Sequence, residues 1–363
     1  MINIVKEPRL SVSTCCLAPS VRRPADVDTC SWSGRRGHSL YIVASAFAGS
    51  GQGVGANERL VATTRSKGTR RCPGSARPSV RRYVAAGHRY GIEEIEGKGL
   101  GIIANQNLEA GDLVFAETPQ LTFETDSNQA IQQVKGKFAA LPSKMQDEIM
   151  GLADAWSSRG RKTLRGIIET NGIECEPAGQ SISRKAIFLN LSRLNHSCNA
   201  NCDYSWNERD QRMEVYAQTA ICEGEELSIS YIDIREPRQV RQQMLQDNWQ
   251  FRCSCSVCSM RMHAASDKRR LRIGELSALL YSSRSSTKKF RIAKRLLRLY
   301  KEENFAVKSY NLEACKFGYD AALELDDFEA APRFAQLGLR CALICHGRDH
   351  ETTKEHHGNR ASF

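Results

Sequence analysis

Three short stretches carry the most specific signals of this sequence. Residues 192–198 read Ser-Arg-Leu-Asn-His-Ser-Cys, residues 225–231 read Glu-Glu-Leu-Ser-Ile-Ser-Tyr, and residues 251–258 read Phe-Arg-Cys-Ser-Cys-Ser-Val-Cys. The last stretch holds three cysteines, at 253, 255 and 258, a density that is too high for a disulfide framework and typical of metal ligation. Structural zinc prefers four thiolate or imidazole ligands, so a fourth ligand must come from elsewhere in the chain.

A glycine motif lies upstream of these stretches. Residues 97–101 read Gly-Lys-Gly-Leu-Gly, within a segment from 91 to 123 in which short apolar runs alternate with turns that contain glycine or asparagine. That alternation predicts short strands. Because glycine has no Cβ, such a motif lets backbone groups approach a ligand closely. On its own the motif is weak, since any hairpin turn could carry it.

Taken in this order, the motifs resemble those of SET-domain protein-lysine methyltransferases, from about Tyr90 to Met260. The layout, with an insert between two halves, is similar to that of fungal SET proteins and of the SET-and-MYND group. The insert, residues 124–183, holds a single cysteine, Cys175, so it has no MYND zinc module. The resemblance implies a mostly β SET fold of small curved sheets with a knot-like C-terminal thread. A helical insert, a zinc-bound post-SET segment and an α-helical C-terminal region would complete the chain.

The sequence pattern divides the chain into seven parts. We expect a disordered basic tail (1–89), a SET N-terminal part (90–123), a helical insert (124–183), a SET C-terminal part (184–236), a post-SET zinc segment (237–262), a helical C-terminal region (263–350) and a tail (351–363). Within the insert, the apolar spacing predicts two helices broken at Pro142. Apolar positions three and four apart predict further helices over 292–299, 312–325 and 328–343.

The last two of these helices resemble an antiparallel pair of the tetratricopeptide kind. One pair is weak evidence for a repeat array, because a stack needs about three units to bury its faces. A helical bundle packed on the catalytic domain is therefore the simpler expectation. The polar residues from His346 to Phe363, which include His356 and His357, are expected to form a frayed tail rather than a metal site.

The resemblance also implies S-adenosylmethionine as the methyl donor and zinc as a structural metal. It assigns donor contacts to Lys98, Gly99, Leu100, Asn171, Asn195, His196, Tyr231 and Phe251. Tyr231 matches the catalytic tyrosine of the family, and Trp249 would line the lysine channel with it. The family more often has tyrosine at the position of Trp249, so the degree of methylation cannot be read from the sequence.

For the metal, the family takes its fourth ligand from the Asn-His-Ser-Cys motif. The resemblance thus implies a zinc site formed by Cys198, Cys253, Cys255 and Cys258. Cys202, four residues after Cys198, is the competing candidate for the fourth ligand.

The reaction requires a neutral amine, whereas a free lysine has a pKa of about 10.4. Burial in an apolar, aromatic-lined channel lowers that pKa because it disfavours the charged form. The hydroxyl of Tyr231 would then orient the amine, with proton removal through water. Alignment of the reacting groups can contribute about 7 to 11 kcal/mol.

Methylation of lysine side chains on a protein substrate, histone or non-histone, is thus the leading functional hypothesis. A non-catalytic SET scaffold that binds protein partners is the alternative, and the C-terminal helices offer a possible surface for such a partner. A nucleophilic Cys-His site built from His196 and Cys198 is a poor interpretation, because nothing nearby in the sequence supplies an orienting third group.

Charge and hydropathy limit the other classes. The formal net charge is +11, and all of the excess lies in residues 1–89, so residues 90–363 are balanced. Nucleic acid is therefore an unexpected partner except through the basic tail. For that tail the main interpretation is an inert segment or an error in defining the start of the coding sequence, and a mitochondrial transit peptide is another. No stretch approaches the roughly 18 to 20 apolar residues of a membrane span. The expected location is the nucleus, the cytoplasm or both.

Overall fold

The computed structural model describes residues 89–124, 128–157, 160–175, 184–260 and 263–361. Nearly all of the segment expected to be a disordered basic tail, residues 1–88, lies outside the described residues, as do its expected contacts with nucleic acid. In the described ranges, no helix has the length and apolar character needed to cross a membrane.

Short strands and helices alternate in the first part of the chain, and helices alone follow. The strands are β1 (Tyr90–Ile95), β2 (Gly99–Ala104), β3 (Leu113–Glu117), β4 (Leu121–Glu124), β5 (Ile173–Glu174), β6 (Arg184–Ile187), β7 (Asn195–His196), β8 (Cys202–Asn207), β9 (Arg212–Ala217) and β10 (Glu226–Ile229). The helices are α1 (Asn128–Ala139), α2 (Ser143–Met150), α3 (Leu164–Asn171), α4 (Arg238–Trp249), α5 (Ser256–Ser259), α6 (Ala264–Ser282), α7 (Ser286–Glu302), α8 (Ser309–Glu324), α9 (Ala330–His346) and α10 (Glu351–Ala361), and a 3-10 turn covers Leu191–Arg193.

The strands form three small sheets, with orders β1-β2-β10-β7, β3-β9-β8 and β4-β6-β5. Strand β10 pairs antiparallel with β2 and parallel with β7. The parallel pairing sets Asn195 opposite Ser228 and His196 opposite Ile229. Two of the motifs found in the sequence are therefore neighbouring strands of one sheet.

One apolar core joins all three sheets, since Ala186 of β6 belongs to it as well. Ile102 of β2, Val215 of β9 and Leu227 of β10 are fully buried in it. Consecutive residues of these strands are buried, as in strands that are covered on both faces. Small sheets with helical segments agree with the expected SET fold. Helices nevertheless make up most of the regular structure among the described residues, so the expected β character belongs to the part before residue 230.

The helices of the insert and of the C-terminal region agree with the sequence pattern. Helices α1 and α2 are separate, and Pro142 precedes the first residue of α2. Helices α8 and α9 form the expected antiparallel pair, since Ala322 packs near Ala331 at the turn while Leu312 packs near Ala342 at the far end.

The frayed tail expected over 351–363 is wrong for residues 351–361, which form α10. Thr353 and His356 are each 3% exposed, and they lie three positions apart on one face of this helix. Gly338 on α9 makes room for this face, because a Cβ on Gly338 would lie 2.8 Å from Nδ1 of His356. The buried face is made of polar residue types, and a hydrophobic pattern does not reveal such a face.

A buried carboxylate at the end of β3 positions the chain just before β7. The carboxylate of Glu117 accepts hydrogen bonds from the backbone N–H groups of Leu189 at 2.7 Å, of Asn190 at 3.0 Å and of Leu191 at 3.0 Å. Glu117 is only 8% exposed. These bonds hold the entry to the 3-10 turn, from which the chain continues directly into Asn195.

We expect Glu117→Ala to destabilise the protein, because it leaves three backbone N–H groups without their acceptor. An unsatisfied buried polar group costs about 1 to 3 kcal/mol. The free energy of unfolding, measured by urea titration and circular dichroism, should fall by at least about 2 kcal/mol. Glu208→Ala removes an exposed carboxylate and serves as the control. Equal stability of the two variants would show that Glu117 does not hold this turn.

Candidate active site

The β1–β2 hairpin presents a lysine to the neighbouring strand β10. Gly97 and Gly99 have φ angles of 71° and 77°, a region that glycine adopts without the steric cost of a Cβ. Between them, Lys98 places its Nζ 2.6 Å from Oε2 of Glu226. Leu100 follows on β2 and is 47% exposed.

Glu226 also reaches the asparagine of the Asn-His-Ser-Cys motif. Nδ2 of Asn195 donates to Oε1 of Glu226 at 3.1 Å, so one carboxylate joins Lys98 and Asn195. Gly101 permits this approach, because a Cβ there would lie 2.7 Å from Nδ2 of Asn195. Sequence reasoning quoted both Glu226 and Gly101 within motifs but gave neither a role.

Aromatic side chains surround Tyr231 just beyond the end of β10. Its ring centroid lies 5.2 Å from that of Trp249, 5.4 Å from that of His196 and 6.4 Å from that of Phe251, which it meets edge to face. Nε1 of Trp249 donates to the backbone oxygen of Thr170 at 3.1 Å. The end of α4 is thereby fixed against the end of α3.

The hydroxyl of Tyr231 has a defined orientation. It donates a hydrogen bond of 2.7 Å to the backbone oxygen of Leu194. Burial raises the pKa of Tyr231 well above its usual value, and the nearby charge of Glu226 adds to this effect. The side chain is therefore a neutral phenol at physiological pH, and its oxygen keeps a lone pair with which it can accept another hydrogen bond.

His196 connects this aromatic cluster to the cysteines. Its Nδ1 accepts the backbone N–H of Tyr231 at 3.0 Å, so the ring proton belongs on Nε2, which lies 3.3 Å from Sγ of Cys198. Burial lowers the pKa of His196 to about 4, and the ring is neutral at physiological pH. Since Cys198 is fully buried and Nδ1 is already engaged by the backbone, this pair lacks both the access and the orienting group of a nucleophilic site.

The four predicted metal ligands meet in one place. The Sγ atoms of Cys198, Cys253, Cys255 and Cys258 all lie within 4.8 Å of one another, and those of Cys198 and Cys258 are 3.5 Å apart. A tetrahedral zinc site with Zn–S bonds of about 2.3 Å has sulfurs about 3.8 Å apart, so the donor set fits this metal. Cys202 is fully buried on β8, outside the group of four. We call this group the four-sulfur cluster.

Charge within the four-sulfur cluster is compensated from α4. Hydrogen bonding with Cys198 and Cys253 lowers the pKa of Cys258, which favours a metal-binding thiolate. Arg241 is 1% exposed, and its Nε donates to Sγ of Cys198 at 3.2 Å. Its Nη2 lies 3.8 Å from Sγ of Cys258. Four thiolates around a divalent cation carry a net charge of about −2, so a buried guanidinium suits this position.

Asn171 directly follows Thr170, which contacts the aromatic cluster through Trp249, but the side-chain amide of Asn171 forms its hydrogen bonds elsewhere. Nδ2 donates to the backbone oxygens of Ala153 and Ile167, both at 2.7 Å. The preceding residue, Thr170, is the one that contacts Trp249. The structure thus brings the other motif residues together around Asn195 and Tyr231, whereas the Asn171 amide stabilises the end of α3.

Comparison with known proteins agrees with this arrangement. Residues 99–232 match the family model described as SET domain. The histone-lysine N-methyltransferase set5 of Schizosaccharomyces pombe is 28% identical over 272 residues, which are 72% of this chain and 80% of that protein. The N-lysine methyltransferase SMYD2-B of Danio rerio is 33% identical over 138 residues, covering 36% of this chain and 31% of that protein.

A third relative, the histone-lysine N-methyltransferase SET5 of Meyerozyma guilliermondii, is 43% identical over 74 residues, which are 20% of this chain and 15% of that protein. The last two matches thus span less than a third of those relatives. Together with the fold and the convergence of the motif residues, these similarities assign a SET domain to residues 99–232 of this chain.

Proposed function

We propose that this protein transfers methyl groups from S-adenosylmethionine to lysine side chains of a protein substrate. The observation that carries the proposal is the partly buried, neutral phenol of Tyr231, which lies among aromatic rings and next to the pair Asn195-His196. The SET domain and the relatives named as lysine methyltransferases support it.

The donor would be held between the β1–β2 hairpin and the aromatic cluster. The residues proposed to contact it are Lys98, Gly99, Leu100, Asn171, Asn195, His196, Tyr231 and Phe251. Because Nδ2 of Asn195 donates to Glu226, we expect its Oδ1 to serve as the acceptor for an ammonium group of the donor. The ammonium of Lys98, which pairs with Glu226, can also donate a hydrogen bond to the carboxylate of the donor.

When bound, S-adenosylmethionine would supply a methyl carbon on a positively charged sulfur. A neutral amine attacks this carbon, the sulfur leaves as a neutral thioether, and the amine loses one proton. Trp249 and Phe251 offer apolar walls that lower the pKa of an entering lysine, because burial disfavours its charged form. The hydroxyl hydrogen of Tyr231 is committed to Leu194, so its oxygen can accept a hydrogen bond from the amine and orient it. Its raised pKa leaves no phenolate to act as base, and the proton leaves through water.

The four-sulfur cluster is proposed to hold a structural zinc ion. Four cysteines close the tetrahedron and leave no position for a substrate, which is the arrangement of structural rather than catalytic zinc. The proposed role is to attach the segment that carries Phe251 to the Asn-His-Ser-Cys motif.

Histones are the first substrates to test, since two of the relatives described above are named histone-lysine methyltransferases. A histone substrate would place the protein in the nucleus. A protein partner on the C-terminal helices stays a prediction from the sequence.

We expect Tyr231→Phe to slow methyl transfer about 100-fold or more while it leaves donor affinity within about threefold, because the lost oxygen orients the amine and not the donor. Transfer would be followed with a radiolabelled methyl donor, core histones and a cell extract. The control is Tyr216→Phe, which removes another buried, hydrogen-bonded phenol outside the site. Tight donor binding without transfer by the native protein would favour the non-catalytic scaffold.

Gly101→Ala should weaken binding of S-adenosylhomocysteine, the product of the donor, about tenfold, because the new Cβ would lie 2.5 Å from Cγ1 of Ile95 and 2.7 Å from Nδ2 of Asn195, so both side chains must move. Calorimetric titration measures the affinity, and the melting temperature reports on the fold. Gly136→Ala, on α1 with nothing within 4 Å of an added Cβ, is the matched control. An unchanged affinity in Gly101→Ala would remove Asn195 from the donor site.

A further inference from the structure

Helix α7 concentrates positive charge in a domain whose total charge is balanced. Seven of its residues are basic and one, Glu302, is acidic. The outward face carries Arg291, Lys294, Arg295, Arg298 and Lys301, all exposed, which we call the basic stripe. The opposite face is apolar and packs into the core of the helical region through Ile292, Leu296 and Leu299. Packing therefore fixes which way the basic stripe points.

The five residues of the basic stripe form no ion pair with any described residue. Neighbouring α6 differs, since its Arg269 and Arg270 both pair with Glu303. Like charges three and four positions apart on a helix repel each other and destabilise it by a few tenths of a kcal/mol per pair. A bound polyanion would remove that repulsion.

An open cavity of about 600 Å³ lies along the basic stripe. Arg291, Lys294, Arg295 and Arg298 line it, and Phe290 with Leu325 forms an apolar wall. The ammonium of Lys294 lies 5.0 Å above the ring of Phe290. Cationic side chains beside an aromatic wall are the combination with which proteins bind the backbone and bases of nucleic acids.

We propose that the basic stripe binds the phosphate backbone of a nucleic acid without reading its sequence. From Arg291 to Lys301 the stripe runs about 15 Å along the helix, a length over which one strand of a duplex carries four or five phosphates. Three of its five members are arginines, whose planar guanidinium groups match phosphate oxygens in pairs. The expectation that only the basic tail would contact nucleic acid is thereby extended to a folded surface.

Other occupants fit the surface less well. A membrane-surface helix inserts its own apolar face into the bilayer, whereas that face of α7 is buried in the core. Phe328 is 64% exposed beyond the end of α8, but Asp326 and Asp327 precede it directly and would be repelled by an anionic bilayer. Residues 1–89 carry the same sign of charge as α7, so they do not complement it.

This proposal is tested by measuring how tightly the full chain binds a DNA duplex of about 20 base pairs. Binding is followed by the fluorescence anisotropy of the labelled duplex at salt concentrations from about 50 to 200 mM. One variant combines Arg291→Glu, Arg295→Glu and Arg298→Glu. The control combines Lys135→Glu, Lys144→Glu and Arg209→Glu, three exposed positions outside α7. Both variants lower the net charge by the same amount and keep the basic tail. A difference in DNA affinity between them therefore reports on the basic stripe alone.

The stripe variant should bind about 100-fold more weakly at the lowest salt, and the slope of log affinity against log salt should shrink by about three. The control variant should bind DNA with an affinity and a salt dependence close to those of the native protein. A third variant combines Arg291→Gln, Arg295→Gln and Arg298→Gln. It should also lose DNA affinity, as the glutamate variant does, and it excludes misfolding caused by the added carboxylates as the reason for the loss. Equal losses in the stripe and control variants would overturn the proposal. Binding of the same variants to phosphatidylserine vesicles and to poly-glutamate is measured in parallel. If the stripe variant lost affinity for one of these probes but not for DNA, the proposal would be overturned, and the stripe would be assigned to a membrane or to an acidic protein.

Discussion

The meeting of four sulfur atoms from distant parts of the chain is the constraint on which the candidate site depends. Cys198 lies two residues after β7, whereas Cys253 and Cys255 belong to the irregular segment after α4 and Cys258 to the short helix α5. Ordering such a segment costs about 1 to 2 kcal/mol per residue in conformational entropy. Zinc binding, worth about 10 to 16 kcal/mol in small structural sites, is of the size needed to offset that cost. Phe251 lies within the segment ordered in this way.

The same constraint couples the cysteines to the proposed chemistry. His196 contacts Cys198 through one ring nitrogen and the backbone of Tyr231 through the other. A shift of the Cys198 sulfur would thus reach the backbone of Tyr231 through the single side chain of His196. The helical region contributes as well, because the fully buried Arg270 of α6 donates to the backbone oxygens of Cys198 and Ile234 and pairs with Glu303. The C-terminal helices therefore support the site as well as offering a surface.

The residues that could be predicted from the sequence are those whose types are specific to one chemistry. Cys253, Cys255 and Cys258 are recognisable because their close spacing is typical of metal ligation. Tyr231 and Cys198 were singled out only through the resemblance to the SET family, because a tyrosine at the end of a strand is otherwise usually a core residue. Glu226, Gly101 and Arg241 act through other residues, by holding a lysine, by leaving space or by donating to sulfur. Such roles depend on distances between remote segments, and a single sequence does not contain those distances. Helix α10 was missed for a related reason, since its buried face uses threonine and histidine.

The most direct test of this account is to measure donor affinity before and after removal of the metal. Elemental analysis of the purified protein should find about one zinc ion per chain. Calorimetry with S-adenosylhomocysteine should show tight binding, lost on chelation and restored when zinc is returned under reducing conditions. A metal-free protein that stays folded and binds S-adenosylhomocysteine with unchanged affinity would contradict the account.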